Sequence, residues 1–535
     1  MPTQHIAYAD TGYFSKTVCD YLSQDASLKD FYGNFPTLEN FKNQIDQKTE
    51  YFSDTARKVL VAQLNSQYKG VAVSESTQNN IDALANANTF TITTGHQLNL
   101  FTGPLYFLYK IISVINLSEE LNVAYPDKHF VPVYWMATED HDFDEINYFN
   151  FRGKKVVWDR PDGGAVGEFT TEGLQRVFLA FENELKESFG FTKNAKQLLK
   201  LFKEAYLDHG TLSEATRYIG NQLFKDFGLV IVDGNDKLLK SAFVPYAKKE
   251  LLEHLSFNKV SQTTAALVKS GYGEQVHPRE INLFYLIEGV RERIIETDGM
   301  FMVNDTDITF TEKEILMELE AHPERFSPNA LLRPLYQEVI LPNLCYTGGG
   351  GELAYWFQLK DYFKSVEVPF PILLLRNSAV LILEKEIKSL GKLGLKLEDL
   401  FKKQIDLQAD YTRKISEIEI DFTKQREHLK LQFKEMYTIA ENTDASFIGA
   451  VAAQEKKQLK GLNHLEKRLL KAQKRKYKEL LDKVTRLQNS VFPQQSLQER
   501  NTNFSEFYLN NGYSLISKIK KELKPLDLRF SVIDL

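Results

Sequence analysis

Two short apolar segments separated by a helical pattern constrain the fold of this chain more than any other feature. The segments "TFTITTG" (89–95) and "FVPVYWMAT" (130–138) are rich in β-branched and aromatic residues, as buried strands are. Between them, "PLYFLYKIISVINLSEELN" (104–122) carries apolar residues at every third or fourth position, and Pro104 suits the first turn of a helix. Strand, helix and strand in so short a span form a βαβ unit, so the sequence predicts an α/β fold with a parallel sheet.

Further strand patterns extend this sheet along residues 1–384. "FGLVIVDGND" (227–236) and "PFPILLLRNS" (369–378) are apolar runs that end in turn residues. The segments between the strands are too long for simple connections, because about 150–225 is mainly helical and about 245–330 mixes helix and strand. We therefore expect a core sheet with two inserted segments.

From residue 385 to residue 491 the chain is a charge-dense tract without proline. Its apolar residues recur in steps of three and four, which is the heptad pattern of a coiled coil. The apolar stripe is narrow, so we expect an antiparallel helical coiled-coil arm rather than helices lying on the core. Residues 492–535, which end in the strand-like "LRFSVIDL", are expected to return to the core. The heptad positions are Tyr411, Ile415, Ile418 and Phe422 in the first half and Tyr477, Leu480, Val484, Leu487 and Val491 in the second.

Composition argues against several classes of function. The 535 residues include 66 basic and 72 acidic side chains, a net charge of −6, which gives no reason to expect a nucleic-acid partner. The basic run 465–483 is typical of the solvated face of a coiled coil, and a nucleic-acid or phosphate-binding role is the alternative. No apolar run reaches about eighteen residues and residues 1–14 lack the apolar part of a secretory signal, so we expect no membrane span and no export. Cys19 and Cys345 make no disulfide framework, which favours a cytoplasmic protein.

The loop after the first strand is the first candidate binding segment. In "TTGHQLNLFTGPLYFLYK" (93–110) a glycine-containing turn joins a sheet strand to a helix, where α/β folds bind ligands. The segment has neither the G-x-G-x-x-G of dinucleotide-binding folds nor the G-K-[ST] of a P-loop. A turn without any ligand is the alternative. The candidate ligand-binding residues are Gly95, His96, Gln97, Gly103, Pro104, Tyr106 and Lys110.

The segment after the second strand, "TEDHDFDE" (138–145), is the second candidate. Five carboxylates and one imidazole lie within seven residues, directly after an apolar strand. Carboxylates at such a place can bind an ammonium group, hold a metal or act as a general base, and a histidine can act as base or ligand. Magnesium usually needs substrate phosphates as well, so we predict no metal site. The alternative is a helix start enriched in acids. The predicted catalytic residues are Asp140, His141 and Asp142, and the predicted substrate contacts are Trp135 and Glu139.

The third candidate is "SPNALLRPLYQEVILPNLCYTGGGGELAYWFQLK" (327–360). Arg333 lies among apolar residues, where an unpaired guanidinium is costly, so a buried ion pair or an anionic ligand is expected beside it. A glycine run then opens a helix and can wrap a ligand, or it is a flexible connection. Cys345 has apolar neighbours and is interpreted as a packed thiol rather than a nucleophile. The candidate ligand-binding residues are Arg333, Tyr346, Gly348, Gly349, Gly350, Glu352, Tyr355 and Trp356, together with Arg376 at the end of the last strand pattern.

The three candidate segments are expected to meet. Each follows a predicted strand or begins a helix, and the carboxyl ends of parallel strands share one edge of a sheet. We expect residues 95–106, 135–145 and 346–356 to line one cleft.

Together these segments resemble those of one family, the cysteine-adding enzymes of bacillithiol biosynthesis, which are cysteine ligases. The resemblance rests on "TTGHQLNLFTGPLYFLYKIISVI", "VPVYWMATEDHDFDEI" and "SPNALLRPLYQEVILPNLCYTGGGGELAYW", and on the long coiled-coil segment before the C-terminus. It covers nearly the whole chain. Where the family's first loop carries Gln-Gln, this chain carries His96-Gln97. The resemblance implies a Rossmann-like core with inserted connecting segments and a coiled-coil arm through which a homodimer forms.

The resemblance also implies a reaction, the joining of the cysteine carboxylate to the amine of glucosaminyl-malate in the last step of bacillithiol synthesis. Amide formation from a carboxylate and an amine is uphill in water. The carboxylate must therefore be activated first, most simply as an adenylate or acyl phosphate formed with ATP or another nucleotide. The acidic segment would bind and deprotonate the amine. Arg333 and Arg376, and less strongly Lys110, would bind anionic groups such as the malate carboxylates.

Two other functions are compatible with the sequence. One is a nucleotidylyltransferase-like enzyme that acts on another small acceptor. The other is a coiled-coil scaffold whose α/β part is a ligand-binding module. The scaffold interpretation predicts no convergent cluster of polar side chains, whereas both enzyme interpretations require one.

Overall fold

The computed structural model describes residues 3–161, 163–443 and 445–535, and the chain forms two compact units. The first unit comprises Met1–Leu381 and Gln498–Leu535, and the second comprises Ile382–Leu497. The first unit is therefore discontinuous in sequence. In the described part of the chain, no helix is long and apolar enough to cross a membrane.

A five-stranded parallel sheet forms the centre of the first unit, and we number its strands β1 to β5 in chain order. The order across the sheet is β3-β2-β1-β4-β5, and every neighbouring pair is parallel. This is the strand order of a Rossmann fold, so the predicted fold class is confirmed. The strands are Thr89–His96 (β1), His129–Met136 (β2), Val230–Asp233 (β3), Asn343–Gly348 (β4) and Ile372–Leu375 (β5).

The sequence analysis did not predict β4, although it lies next to the centre of the sheet. Its six residues carry one asparagine and end in a glycine run, so they lack the β-branched pattern of β1. The strand is fixed by its neighbours instead, since it pairs with β1 on one side and β5 on the other. Local propensity is a weak guide to a strand buried on both sides.

The connection from β1 to β2 is a buried helix, Tyr106–Ala124. It follows a tight turn in which Phe101 and Thr102 have φ values of 47° and 67°. Gly103 also has a positive φ, of 61°, and a Cβ there would lie 2.7 Å from Cβ of Asn99. Glycine is therefore required at position 103 to turn the chain into the helix.

Helices surround the sheet on the N-terminal side and in the first insertion. The N-terminal region also holds a short strand, Gln4–Ala7, beyond the helices and loops that were predicted. Its helices are Tyr8–Thr11, Lys16–Leu22, Leu38–Tyr51, Asp54–Gln67 and Glu75–Ala83. Between β2 and β3 lie Phe143–Ile146, the hairpin strands Tyr148–Phe151 and Lys154–Val157, and the helices Leu174–Phe189, Lys193–Tyr206 and Leu212–Phe224.

The second insertion, between β3 and β4, carries an antiparallel sheet of its own. The strands in spatial order are Thr309–Thr311, Met300–Val303, Val290–Thr297, Leu283–Ile287 and Phe326–Pro328. The helices of this region are Lys237–Ser241, Val244–Glu253, Leu255–Lys269, Glu312–Ala321 and Arg333–Ile340. After β4 come Gly350–Trp356 and Lys360–Ser365.

The C-terminal segment completes the first unit. Its last strand, Arg529–Asp534, joins a separate three-stranded sheet between Gln4–Ala7 and Ala379–Ile382 rather than the central sheet. Two helices precede it, Ser505–Asn511 and Ser514–Glu522.

The second unit is helical, but its first half is not one continuous helix. The prediction that Ile418 and Phe422 continue a heptad begun at Tyr411 is wrong, because residues 416–422 are not helical. The Ser416 hydroxyl donates to the carbonyl of Ile418 and accepts from its N–H, which competes with helical hydrogen bonds. The helices are Glu384–Leu393, Gln404–Ile415, Thr423–Ala440, Ala445–Lys476 and Lys478–Val491.

A buried ion pair fastens the returning chain to the first unit. Arg376, which follows β5, donates from its guanidinium to the Glu499 carboxylate at 2.8 Å, and the Glu499 side chain is fully buried. The same carboxylate accepts from the Ser378 hydroxyl at 3.0 Å and from the Ala379 N–H at 3.0 Å. The segment that starts at Gln498 is thus held directly beside the last strand of the central sheet.

We expect Glu499→Gln to destabilise the first unit strongly. The substitution keeps the shape of the side chain but leaves the Arg376 guanidinium buried without a counter-charge, which costs about 3–5 kcal/mol. The matched control is Glu119→Gln, because Glu119 joins the same C-terminal segment through an exposed pair with Lys520 and its loss costs about 0–1 kcal/mol. Urea denaturation of both variants is the measurement. Equal loss of stability in the two would contradict the role assigned to the buried pair.

Candidate functional site

A cavity of about 750 Å³ opens at the carboxyl edge of the central sheet. It lies where β1 and β4 are neighbours. The chain continues from β1 to β2 on one side of this position and from β4 to β5 on the other side. Open α/β sheets bind ligands at this kind of switch point. The cavity is lined by residues 95–97, 135–141 and 349–352, so the three candidate segments meet at one place.

Most of the candidate residues line this cavity, and five do not. Asp142 is exposed at the start of the helix Phe143–Ile146. Gly103 and Pro104 belong to the turn before the long helix, and Gly348 ends β4. The fully buried Trp356 stacks on the Tyr346 ring at 4.7 Å, which is a packing role. The residues that do line the cavity are Gly95, His96, Gln97, Tyr106, Lys110, Trp135, Glu139, Asp140, His141, Arg333, Tyr346, Gly349, Gly350, Glu352, Tyr355 and Arg376.

The sequence analysis missed the side chains that the second insertion and the C-terminal segment bring to the cavity. Arg291 and Arg293 alternate along the strand Val290–Thr297 and so share one face, which is a signal that could have been read. Arg500 follows the helical unit by sequence and had no local signal. The missed polar and aromatic residues are His277, Arg279, Phe284, Arg291, Arg293, Asn329 and Arg500.

Lys110 and Glu352 form an ion pair that organises the glycine loop. The Lys110 ammonium donates to Glu352 Oε1 at 2.6 Å and to the Gly95 carbonyl at 2.6 Å. The other Glu352 oxygen accepts from the Gly349 N–H at 2.5 Å and so caps the helix Gly350–Trp356. Burial lowers the pKa of Lys110, and the Glu352 carboxylate opposes this effect. Because its charge is already paired, Lys110 joins the first and third segments to each other.

The two candidate arginines differ in their partners. Arg376 is neutralised by Glu499, as described above. Arg333 donates to the Gln337 carboxamide oxygen at 3.1 Å and to the Tyr355 hydroxyl at 3.4 Å, both neutral groups. Its guanidinium carbon lies 5.5 Å from the centre of the Tyr346 ring. Arg333 is therefore held in place without a carboxylate and keeps its charge for a ligand.

The acidic segment is tolerated because its charges are separated and individually satisfied. Glu139 pairs with the buried Lys240 at 2.5 Å. Asp140 accepts from the N–H of His141 at 2.8 Å through one oxygen and from the Gln97 carboxamide at 2.9 Å through the other. Asp144 and Glu145 are exposed, like Asp142. Of this segment, Glu139, Asp140 and His141 line the cavity, and among the described residues Asp140 has no ion-pair partner outside its own loop.

His141 is bound from the opposite wall by the second insertion. Arg291 places a guanidinium nitrogen 2.6 Å from His141 Nδ1. The Phe284 ring lies beneath both groups, 4.1 Å from the Arg291 guanidinium carbon and 5.4 Å from the centre of the imidazole. The acidic loop and the inserted sheet are therefore joined across the cavity.

The cavity carries more positive than negative charge, although the chain as a whole is acidic. Four of the arginines that line it make no ion pair with a carboxylate within the ranges that the structure describes. No group of three metal-ligating side chains occurs in the same ranges. Burial raises the pKa of Cys345, which keeps it a neutral, packed thiol as expected. The arrangement can bind a ligand that carries several negative charges. A carboxylate that can accept a proton lies next to that binding place. The unpaired arginines are Arg279, Arg293, Arg333 and Arg500.

His96 lies at the end of β1 in a setting that keeps it neutral. Burial, followed by the positive charges of Lys110 and Arg376, lowers the pKa of His96 well below its ordinary value of 6.5. Its Nε2 atom is buried and has no hydrogen-bond partner in the described residues. The ring contacts Tyr106 and Phe107 at 5.2 and 5.0 Å between ring centres.

We expect His96→Gln to weaken the acid sensitivity of the fold. In the unfolded chain His96 takes up a proton as the pH falls through 6.5, whereas the folded state resists protonation, so unfolding binds protons and the stability falls with falling pH. Glutamine removes this contribution. Melting temperatures measured between pH 7.5 and 5 should fall less steeply for His96→Gln than for the unmodified protein. His277→Gln is the control, since its side chain is 69% exposed, and an identical slope for all three proteins would contradict the assignment.

Comparison with known proteins agrees with the geometry over the whole chain. Residues 1–377 match the family model of the bacillithiol biosynthesis BshC N-terminal Rossmann-like domain, and residues 379–535 match that of the BshC C-terminal coiled-coil domain.

Curated relatives carry the same name in several bacteria. A protein of Christiangramia forsetii named "Putative cysteine ligase BshC" is 55% identical over 537 residues, which cover 100% of this chain and 99% of the relative. A protein of that name in Flavobacterium johnsoniae is 54% identical and both chains are covered completely. One in Bacillus cytotoxicus is 27% identical, with 94% of this chain and 95% of the relative covered. The chain therefore belongs to the BshC family of bacillithiol biosynthesis.

Proposed function

We propose that this protein is a ligase that forms an amide bond between the carboxylate of L-cysteine and the amine of glucosaminyl-malate, giving bacillithiol. The observation that carries the proposal is the cavity at the β1/β4 switch point, where unpaired arginines surround one available carboxylate. Family membership and the name of the relatives support the ligase class. The scaffold interpretation predicts no convergent polar cluster, so the cavity counts against it.

The anionic end of glucosaminyl-malate suits the unpaired arginines. Malate offers two carboxylates, and a guanidinium binds a carboxylate through two parallel hydrogen bonds. We assign this role to Arg333 and, from the second insertion, to Arg279 and Arg293. Arg376 and Lys110, which the sequence suggested for it, already have carboxylate partners and are less suited.

The attacking amine requires a group that takes its proton. Asp140 faces the cavity and has no ion-pair partner outside its own loop in the part of the chain that the structure describes, whereas Glu139 is engaged by Lys240. We therefore assign the general base to Asp140. Asp142, the other aspartate suggested by the sequence, is exposed and outside the cavity lining.

The cysteine carboxylate has to be activated before it reacts with the amine. We propose ATP or another nucleotide as the cosubstrate, giving an acyl phosphate or an adenylate. The amine nitrogen then bonds to the acyl carbon, phosphate or nucleoside monophosphate leaves with the bonding electron pair, and the amine proton passes to Asp140. The remaining cavity arginines can offset the charge of the phosphates. A free thiol as product, and unpaired cysteines in the chain, fit a reducing cytoplasm.

The proposal is tested by incubating the protein with cysteine, glucosaminyl-malate and each nucleoside triphosphate in turn. We expect mass spectrometry to detect bacillithiol with one of the nucleotides, together with the nucleotide product. Formation of a nucleotidyl compound without cysteine would favour the nucleotidylyltransferase-like alternative. No product with any nucleotide would overturn the proposed reaction.

Asp140→Asn should lower turnover by about 10²–10⁴, the range for loss of a general base, because asparagine cannot accept the amine proton. Asp144→Asn is the matched control, since Asp144 belongs to the same acidic segment but lies in the helix Phe143–Ile146 and is exposed. Turnover is measured on both variants after their melting temperatures have been compared. Full activity of Asp140→Asn would contradict a catalytic role and would mean that the acidic segment is only the acid-rich start of a helix.

We also propose that the helical unit mediates formation of a homodimer, as its family resemblance suggests. The hairpin of Thr423–Ala440 and Ala445–Lys476 buries a small core of Phe433, Ala440 and Val451. Other apolar side chains on it are uncovered, among them Leu431 at 61% and Ile439 at 63% exposure. A second copy of the chain would cover them in the manner of a coiled coil.

Replacement of Leu431 and Ile439 by glutamate together should abolish the dimer. Both side chains are exposed within one subunit, so the charges leave the subunit fold intact but cannot be buried against another copy. Light scattering should report twice the 61.7 kDa of one chain for the unmodified protein and a single chain for the variant. Ile405→Glu, at an exposed apolar site outside the hairpin, is the control and should remain a dimer. A single-chain mass for the unmodified protein would refute dimerisation.

A further inference from the structure

The contact between Arg291 and His141 determines which imidazole nitrogen carries a proton. A guanidinium has only hydrogen-bond donors, so at 2.6 Å the Nδ1 atom of His141 must be the acceptor. The single proton of the neutral ring is then on Nε2. Nε2 has no protein partner among the described residues, and His141 lines the cavity. A donor N–H is therefore available to a bound ligand.

Arg291 is held too firmly to give up this contact. Its side chain is buried, its Nε donates to the Ser327 hydroxyl at 3.2 Å, and its guanidinium lies on the Phe284 ring. Phe284 is on the neighbouring strand, so the inserted sheet itself fixes the position of the guanidinium. The same ring supports the imidazole.

Of the charged groups around His141, Arg291 is the one that contacts Nδ1 directly. The Asp140 carboxylate lies 3.8 Å from Nδ1, but that oxygen already accepts the N–H of residues 141 and 142. The positively charged Arg291 lies closer to Nδ1 than Asp140 does. If Nδ1 carried a proton, its N–H would point at an N–H of the Arg291 guanidinium. The other charged or titratable groups that line the cavity on this side are Glu139, which Lys240 pairs, and His277, Arg279 and Arg293.

We infer that Arg291 is a positioning residue that fixes the neutral His141 ring in the tautomer with its proton on Nε2, so that His141 donates a hydrogen bond to the substrate and does not act as the base. The inference rests on the proposed amide-forming reaction for the identity of the acceptor. As the amine nitrogen bonds to the acyl carbon, the carbonyl electron pair moves to oxygen, and the Nε2–H stabilises the negative charge there. The amine proton goes to Asp140. This division of roles assigns a function to the second insertion that the acidic segment alone does not reveal.

The ring nitrogen of His141 that carries the proton can be identified without any substrate. We expect ¹⁵N–¹H spectra of the ten histidine rings in the full chain, with His141 assigned through His141→Gln, to show the neutral His141 ring as the Nε2–H tautomer at pH 8. In Arg291→Met the neutral ring should become a mixture of the two tautomers, and Arg291→Lys should restore part of the original state. Arg293→Met, two residues along the same face of the strand, is the control and should leave His141 unchanged. A neutral ring with its proton on Nδ1 in the unmodified protein would overturn the inference.

Kinetics give a second, independent readout. If His141 is a donor, His141→Gln retains an N–H and should keep more activity than His141→Leu, which should lose about 10²–10³ in kcat, as for one oxyanion donor. Equal losses in the two variants would identify His141 as a base and overturn the inference. Absence of ligase activity in the unmodified protein would refute the proposed reaction instead, and the tautomer measurement would still decide the state of His141.

Discussion

The ion pair between Arg376 and Glu499 is the contact on which the architecture of the first unit depends. The chain leaves that unit after Leu381 and re-enters it at Gln498, and the pair joins the two ends of this excursion beside β5. A fully buried carboxylate is tolerated there because it accepts hydrogen bonds from a guanidinium, a hydroxyl and a backbone N–H. The closure also brings the exposed Arg500 to the rim of the cavity. Because the same pair neutralises Arg376, other residues have to bind the anionic groups of a ligand.

Apart from Arg500 of the C-terminal segment, the positive charges of the cavity fall into two groups with different roles. Those carried by the elements of the central sheet, Lys110 and Arg376, are paired with carboxylates and hold loops together. Those carried by the second insertion lack carboxylate partners in the described residues and remain available, and Arg291 among them engages a histidine. The sheet thus supplies a rigid frame at its switch point, while the insertion supplies the charge that would select an anionic substrate. A Rossmann-like sheet by itself does not specify a ligand.

The parts of the structure that could be predicted are those encoded in consecutive residues. The β1–helix–β2 unit was predicted because its periodicity and its turn are local, and the polar segments after β1 and β2 followed from the geometry of a parallel sheet. β4 was missed because its pairing, not its composition, makes it a strand. Arg291 and Arg500 were missed because they reach the cavity through contacts with residues far away in the sequence. The heptad through Ile418 failed because residues 416–422 are not helical, and there the Ser416 hydroxyl bonds to the backbone of Ile418.

The acidic segment shows why such a site cannot be read from one stretch of sequence. Five carboxylates at the end of a buried strand would repel one another if they shared a site, and like charges at short range cannot all remain ionised. The fold resolves this with partners from three separate segments, since Gln97 binds Asp140, Lys240 binds Glu139 and Arg291 binds His141. Each partner engages one group of the segment and fixes the orientation of that side chain. Of the side chains of the acidic segment that face the cavity, Asp140 and the Nε2 face of His141 remain free for a ligand, so their roles follow from the partners of their neighbours.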